Sequence, residues 1–230
     1  MRSSSEQLTK RGYIEDEDTL RYEKLSKDEL IELIDSDVAI QRTIGAKLLA
    51  DFQEPIVMKR LIDRLIIEDK LYTKIAISES LGNFGERASK ELIKHLGKVG
   101  NNQHRSLPDK KFKKKNYPLP RDIIARTICK IGKPALKVLK KCLYDGDYNQ
   151  ILEAIDAIGY ISYYKDNQEL EKDIIGMIEK YKDDELMIWK LVRSLQSFKG
   201  EQVKKILKEY INSAVNQIRW EAERSLKYMN

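Results

Sequence analysis

Six short segments of this 230-residue chain repeat one arrangement of residues, and that recurrence limits the fold more than any other feature. They are IGAKLLADF (44–52), AISESLGNFG (76–85), IARTICKIGK (124–133), AIDAIGYI (154–161), LVRSLQSF (191–198) and AERSLKYM (222–229). Each sets an aliphatic anchor three residues before a second large apolar residue. The anchors are Leu49, Leu81, Ile128, Ile158, Leu195 and Leu226, and their partners are Phe52, Phe84, Ile131, Ile161, Phe198 and Met229. The residue ahead of the anchor is Ser, Thr or Ala in five of the six, which lets a neighbouring helix approach closely. Self-similarity at such a period is the mark of a repeat architecture. Successive anchors lie 32, 47, 30, 37 and 31 residues apart, room for two helices and their turns.

A second set of segments alternates with the anchors: PIVMKRLIDRLI (55–66), ASKELIKHLG (88–97), PALKVLKKCL (134–143), LEKDIIGMIEKY (170–181) and VKKILKEYI (203–211). Their apolar residues recur at three and four, as in Leu136, Leu139 and Leu143, the spacing of one helical face. Ser26 to Glu29 reads as a capping box, and acidic turns at 35–37, 68–69, 145–147 and 183–184 join first helices to second ones. Five prolines and eleven glycines leave these runs almost unbroken. The pattern predicts an all-α protein, an α-solenoid of about six helical hairpins over residues 26–230, preceded by a partly ordered extension over 1–25.

The segments AISESLGNFGERASKELIKHL (76–96) and IARTICKIGKPALKVL (124–139) carry a family resemblance: small residues, an anchor, a turn with Gly or Pro, and the next amphipathic helix. The chain resembles HEAT-repeat proteins, and within them the short HEAT-like repeats of the phycobilisome-lyase type. It departs from that pattern in that a glycine follows the anchor only at Gly82 and Gly159. The gap from Ile158 to Leu195 also carries extra residues near YYKDNQ. Some HEAT-repeat proteins are iron hydroxylases with His-Glu ligand pairs. Here His95 precedes Leu96 and His104 precedes Arg105, so no metal or other cofactor is expected. Nucleophile-elbow, phosphate-loop and dinucleotide signatures are also missing from the sequence, and no catalytic residue is assigned. Cys129 and Cys142, thirteen residues apart with no metal spacing, read as buried reduced thiols. No apolar run approaches the ~18 residues of a membrane span, and the first residues lack a signal-peptide core, so a cytoplasmic protein away from membranes is expected.

Charge divides the chain unevenly. From Lys94 to Lys141 fifteen Lys or Arg face Asp109 and Asp122, a balance of +13; the whole chain carries +6, which leaves −7 for the remainder. Two residues before each anchor stands a charge: Lys47, Glu79, Arg126, Asp156, Arg193 and Arg224. The resemblance places these on the second helices of successive repeats, as a ladder along the concave face. Trp189 and Trp220 each lie four residues before an arginine of that ladder, so Trp189–Arg193 and Trp220–Arg224 are neighbours on one helical face. The tryptophans suit either a ligand-facing surface or the seam between repeats.

The longest anchor gap holds a basic insertion at 98–120 containing LPDKKFKKKNYPLPRD (107–122). Connections of that length are unusual in a compact repeat. It reads in three ways: a solvated loop, a polyanion grip through Lys110, Lys111, Lys113, Lys114, Lys115 and Arg121, or an intramolecular tether across the concave groove toward the acidic ends of the chain. The functional expectation is a non-enzymatic scaffold or adaptor that engages a protein partner through the concave face. The alternative is a nucleic-acid-binding protein using the basic middle. Its surface is similar to that of the helical-repeat glycosylases for alkylated bases, whose catalytic acid and paired tryptophans have no counterpart at matching positions here.

Overall fold

The computed structural model describes residues Ser4 to Met229. Met1 to Ser3, part of the expected extension, and Asn230, the last residue of the expected solenoid, lie outside the described residues. The fold is all-α, with no strand among the described residues, and the chain divides into two compact units, Met1–Leu92 and Ile93–Asn230. In each unit helical hairpins stack side by side in two layers, the arrangement of an α-solenoid.

The first unit contains α1 (Ser5–Lys10), α2 (Lys27–Leu33), α3 (Ala39–Leu48), α4 (Pro55–Ile67), α5 (Leu71–Gly82) and α6 (Glu86–Leu92). The Ser26 hydroxyl and the Glu29 carboxylate cap α2 reciprocally, as the sequence predicts. Anchor helix α3 packs on α5, while α2 packs on α3 and α4 on α5. The anchors Leu49 and Leu81 are fully buried. The small residue ahead of the second one works as expected: Ser80 Oγ reaches across to the Ala46 carbonyl of α3 at 2.6 Å. Glu68, in the turn before α5, is buried and receives Arg42 through two bonds of 2.7 and 2.9 Å, with Arg64 at 3.0 Å. Burial alone would raise its pKa; hydrogen bonds from Arg42, the Lys70 N–H and Arg64 outweigh that and hold it at about 2. Part of the 1–25 segment covers the same layer. Gly12 is buried against the Thr43 and Thr73 hydroxyls, Tyr13 meets Tyr72 edge-on at 5.0 Å, and Asp16 pairs with Lys47 at 2.6 Å.

The second unit contains α7 (Ile123–Ile131), α8 (Leu136–Asp145), α9 (Tyr148–Tyr164), α10 (Glu171–Lys180), α11 (Glu185–Ser194), α12 (Glu201–Tyr210) and α13 (Asn216–Tyr228). Anchor helices α7, α9, α11 and α13 pack in succession; α8, α10 and α12 form the other layer against α9, α11 and α13. Ile128, Ile158 and Leu195 are fully buried, whereas Leu226 on α13 is half-buried. Cys129 and Cys142 are free and buried; burial pushes the Cys142 thiol up to about 12 and Cys129 upward as well. The surplus residues of the fourth anchor gap lengthen α9, which runs for 17 residues and carries Tyr160, Tyr163 and Tyr164 past its anchor. No helix among the described residues is long and apolar enough to cross a membrane.

Candidate functional site

Residues 98–120 are laid back as a strap over one face of α9, α11 and α13. Its ends are drawn together by Gln103, whose side-chain amide donates to the Val99 carbonyl and to Asp122 Oδ2, each at 2.7 Å. Asp122 Oδ1 accepts the Ala125 N–H at 2.7 Å and so caps α7. Arg105 donates to the Gly97 carbonyl at 2.8 Å and to Asn149.

The middle of the strap alternates in what it shows the helices. Phe112 turns inward beneath two arginines, with Arg224 at 5.1 Å and Arg193 at 5.9 Å from its ring centre. Tyr117 is buried against α9 at Gly159, where a Cβ would overlap the phenol ring, so this glycine is required by a close approach. The Tyr164 hydroxyl donates to the Tyr117 carbonyl at 3.1 Å, and the Tyr163 ring lies 6.0 Å from that of Tyr117. The two irregular gaps of the repeat thus meet: the lengthened α9 supplies the tyrosines that hold the inserted strap. Backbone carbonyls also face inward, Lys115 accepting from Gln196 at 2.9 Å, Lys114 from Arg224 at 3.4 Å and Pro120 from Arg126 at 2.5 Å.

Lys110, Lys111, Lys113, Lys114, Lys115 and Arg121 are all exposed; Lys111 pairs with Glu223 of α13 at 2.9 Å. The other five have no acidic partner among the described residues.

Beneath the strap the ladder is buried. Trp189 is 1% exposed and packs edge-on against His104 of the strap at 4.9 Å. Arg193, 5% exposed, lies over the Trp189 ring at 3.9 Å, as the four-residue spacing predicts. Trp220 is half-buried beside Pro108, Lys111 and Phe112. Asp156 and Arg224 are buried, Arg126 is half-buried, and Lys47 and Glu79 are exposed on the first unit. These ladder positions therefore do not make one solvent-facing row. Charge matching explains the burial of the last three. Three successive anchor helices, α9, α11 and α13, each present an i, i+3 pair: Glu153 and Asp156, Lys190 and Arg193, Glu221 and Arg224. Lys190 Nζ, fully buried, sits 2.7 Å from Glu153, 2.9 Å from Asp156 and 3.1 Å from the Leu152 carbonyl. Glu221 joins the other two, at 3.1 Å from Arg193 and 2.6 Å from Arg224. Three carboxylates against three cations sum to zero. Burial pushes the Glu153 carboxyl above the usual range, against the pull of Lys190.

Gln103, Glu153, Lys190, Gln196 and Glu221 are not singled out by the sequence pattern, and His104 enters it only as a histidine without ligand spacing. Two of them carry a signal there: Glu153, together with Asp156, interrupts ILEAIDAI, and Lys190 interrupts MIWKLV, runs otherwise apolar. A charge in such a run has no solvent face and needs a buried partner.

His104 gives the site a pH dependence. Burial pulls its pKa down to about 4, with Asp156 opposing and Arg193, Lys190 and Arg121 adding to the shift. A base whose folded pKa is depressed leaves the native state with fewer bound protons, so stability falls as pH falls from the ordinary value of 6.5 toward about 4. The expected result is a thermal midpoint that drops more steeply across that window in the wild type than in His104→Gln, read from melts at a series of pH values. Glu153, whose shift has the opposite sign, is common to both proteins and cancels in the comparison.

No protein-family model matches the chain, and no curated protein matches it. Among solved structures, a designed armadillo repeat protein is similar to it at 15% identity, covering 89% of this chain and 100% of its own, with a TM-score of 0.34. An engineered protein of known crystal structure is similar at 15% identity, covering 88% of this chain and 96% of its own, with a TM-score of 0.31.

Proposed function

We propose that the chain is a non-enzymatic binding scaffold built of short HEAT-like repeats, and that it engages a protein partner with an acidic surface. The contact surface is the outer side of the strap. One observation carries this reading: Lys110, Lys113, Lys114, Lys115 and Arg121 stand exposed, without acidic partners among the described residues, on a backbone held from beneath. The ladder below is neutral as a set, so the attraction for an anionic partner comes from the strap. Holding five cations on a fixed backbone lowers the ordering cost of association.

The +13 balance of the middle of the chain also favours a nucleic-acid backbone, the second reading. Phe112 and Tyr117 face inward, however, and offer no platform for stacking unpaired bases.

The test compares an acidic peptide, a DNA duplex and a single-stranded oligonucleotide at low and moderate salt. Saturable, salt-sensitive binding of the acidic peptide is expected, lost in a variant with Lys110, Lys113, Lys114 and Lys115 changed to Glu. Preference for the duplex would replace the protein-partner reading with the nucleic-acid one, and failure of all three at low salt would remove both.

A further inference from the structure

Inside the curve of the strap lies a half-open cavity of about 610 Å³, floored by the ladder. That is well within the ~300–1,000 Å³ of small-molecule sites. Its lining includes Lys110 and Lys114 from the strap, Arg121 directly after it, Tyr117 on the wall, and Asp156 and Arg193 beneath.

Two features of this lining point to a ligand. The first is charge. Arg193 is matched by Glu221 and Asp156 by Lys190, so Lys110, Lys114 and Arg121 are left uncompensated around one cavity. The second is a set of buried polar atoms on three of the lining residues. Tyr117 Oη, Arg193 Nε and Asp156 Oδ1 have no hydrogen-bond partner among the described residues. Buried polar groups in native proteins are nearly always paired, so a hydroxyl, a guanidinium N–H and a carboxylate oxygen left over at one place call for a partner from outside the chain.

We infer that this cavity binds a small phosphate monoester bearing hydroxyl or amino groups. A phosphate monoester carries about −1.5 to −2 charges at neutral pH, and a guanidinium offers it a two-pronged donor. The three free cations match that charge more fully than they match a single carboxylate. The hydroxyl or amino groups of the ester answer Asp156 Oδ1, which can only accept. The inference shares Lys110, Lys114 and Arg121 with the scaffold reading but differs from it in the buried groups beneath them and in taking a small ligand.

The experiment titrates the full chain by calorimetry with ribose 5-phosphate and AMP, and in parallel with ribose, adenosine and inorganic phosphate. Saturable binding of at least one phosphorylated organic probe is expected, with no binding of ribose or adenosine. Changing Lys110, Lys114 and Arg121 to Gln together should weaken it by at least about tenfold, on the order of one lost charged contact. Tyr117→Phe keeps the ring against Gly159 and removes only the hydroxyl. It should weaken the phosphorylated probe several-fold and leave acidic-peptide binding unchanged, which separates this site from the outer surface of the strap. Binding of inorganic phosphate alone, equal binding of ribose and ribose 5-phosphate, or no saturable binding of any phosphorylated probe would overturn the assignment.

Discussion

Lys190→Met should lower the stability of the fold by about 3–5 kcal/mol, read from urea denaturation midpoints at neutral pH. The methionine fits the space of a fully buried lysine stem, so the loss is one of charge and hydrogen bonding more than of volume. Lys190 Nζ holds two carboxylates and one carbonyl within 3.1 Å. Without it, Glu153 and Asp156 become like charges with no counter-ion between them. Glu153 is already pushed toward its neutral form by burial, so it takes up a proton first and limits the damage. The variant should therefore recover stability as pH is lowered toward the range where that carboxyl is protonated, and by more than the wild type, in which Lys190 opposes protonation of the same group. A triple variant with Lys190→Met, Glu153→Leu and Asp156→Asn should regain most of the loss, because replacing a whole buried ionic cluster costs far less than breaking it. An unchanged midpoint for Lys190→Met would mean that the lysine and its carboxylates are solvated.

How much of this was legible in the sequence depends on the range of the interactions. The hairpins and anchors could be read because each rests on residues three or four apart, a spacing set by helix geometry alone. Ser80 and the capping box at Ser26 are of the same kind, one small residue or one local pair with one mechanical reason. Trp189 and Arg193 were predicted to be neighbours, and they are. What spacing does not reveal is which element covers that face. The strap reaches Arg224 from Phe112, across 112 residues of chain, and its inward set is only two aromatics among five lysines. Composition is dominated by the lysines, which face solvent, while docking is decided by Phe112, Tyr117 and a few backbone carbonyls. The surplus in two anchor gaps was visible as two separate irregularities; only folding brings the extra turn of α9 to the insertion.

Tyr117 is the residue on which that docking most depends, and two substitutions test it from opposite sides. Tyr117→Ala removes a buried ring from its place on α9 and should cost about 3–5 kcal/mol, toward the low end because its hydroxyl has no partner among the described residues to lose. It should also release the strap. Trypsin, slow to cut among Lys110 to Lys115 while the backbone is pinned at Lys114 and Lys115, should then cut there first, ahead of the helices. Gly159→Ala approaches the same contact from the helix. On helical propensity alone it would stabilise α9 by about 1 kcal/mol. Its Cβ, however, would occupy the space of the Tyr117 ring, and overpacking of that kind costs about 1–3 kcal/mol. Since the ring is buried and the backbone that carries it is held by Tyr164 through the Tyr117 carbonyl, the steric cost should win. The variant should melt lower than wild type and expose the same lysines to trypsin. Combining the two changes removes the clash and should restore the propensity gain, so the double variant should be more stable than Tyr117→Ala alone. If Gly159→Ala instead raised the melting temperature in the wild-type background, the strap would not rest on α9, and the cavity it encloses would go with it.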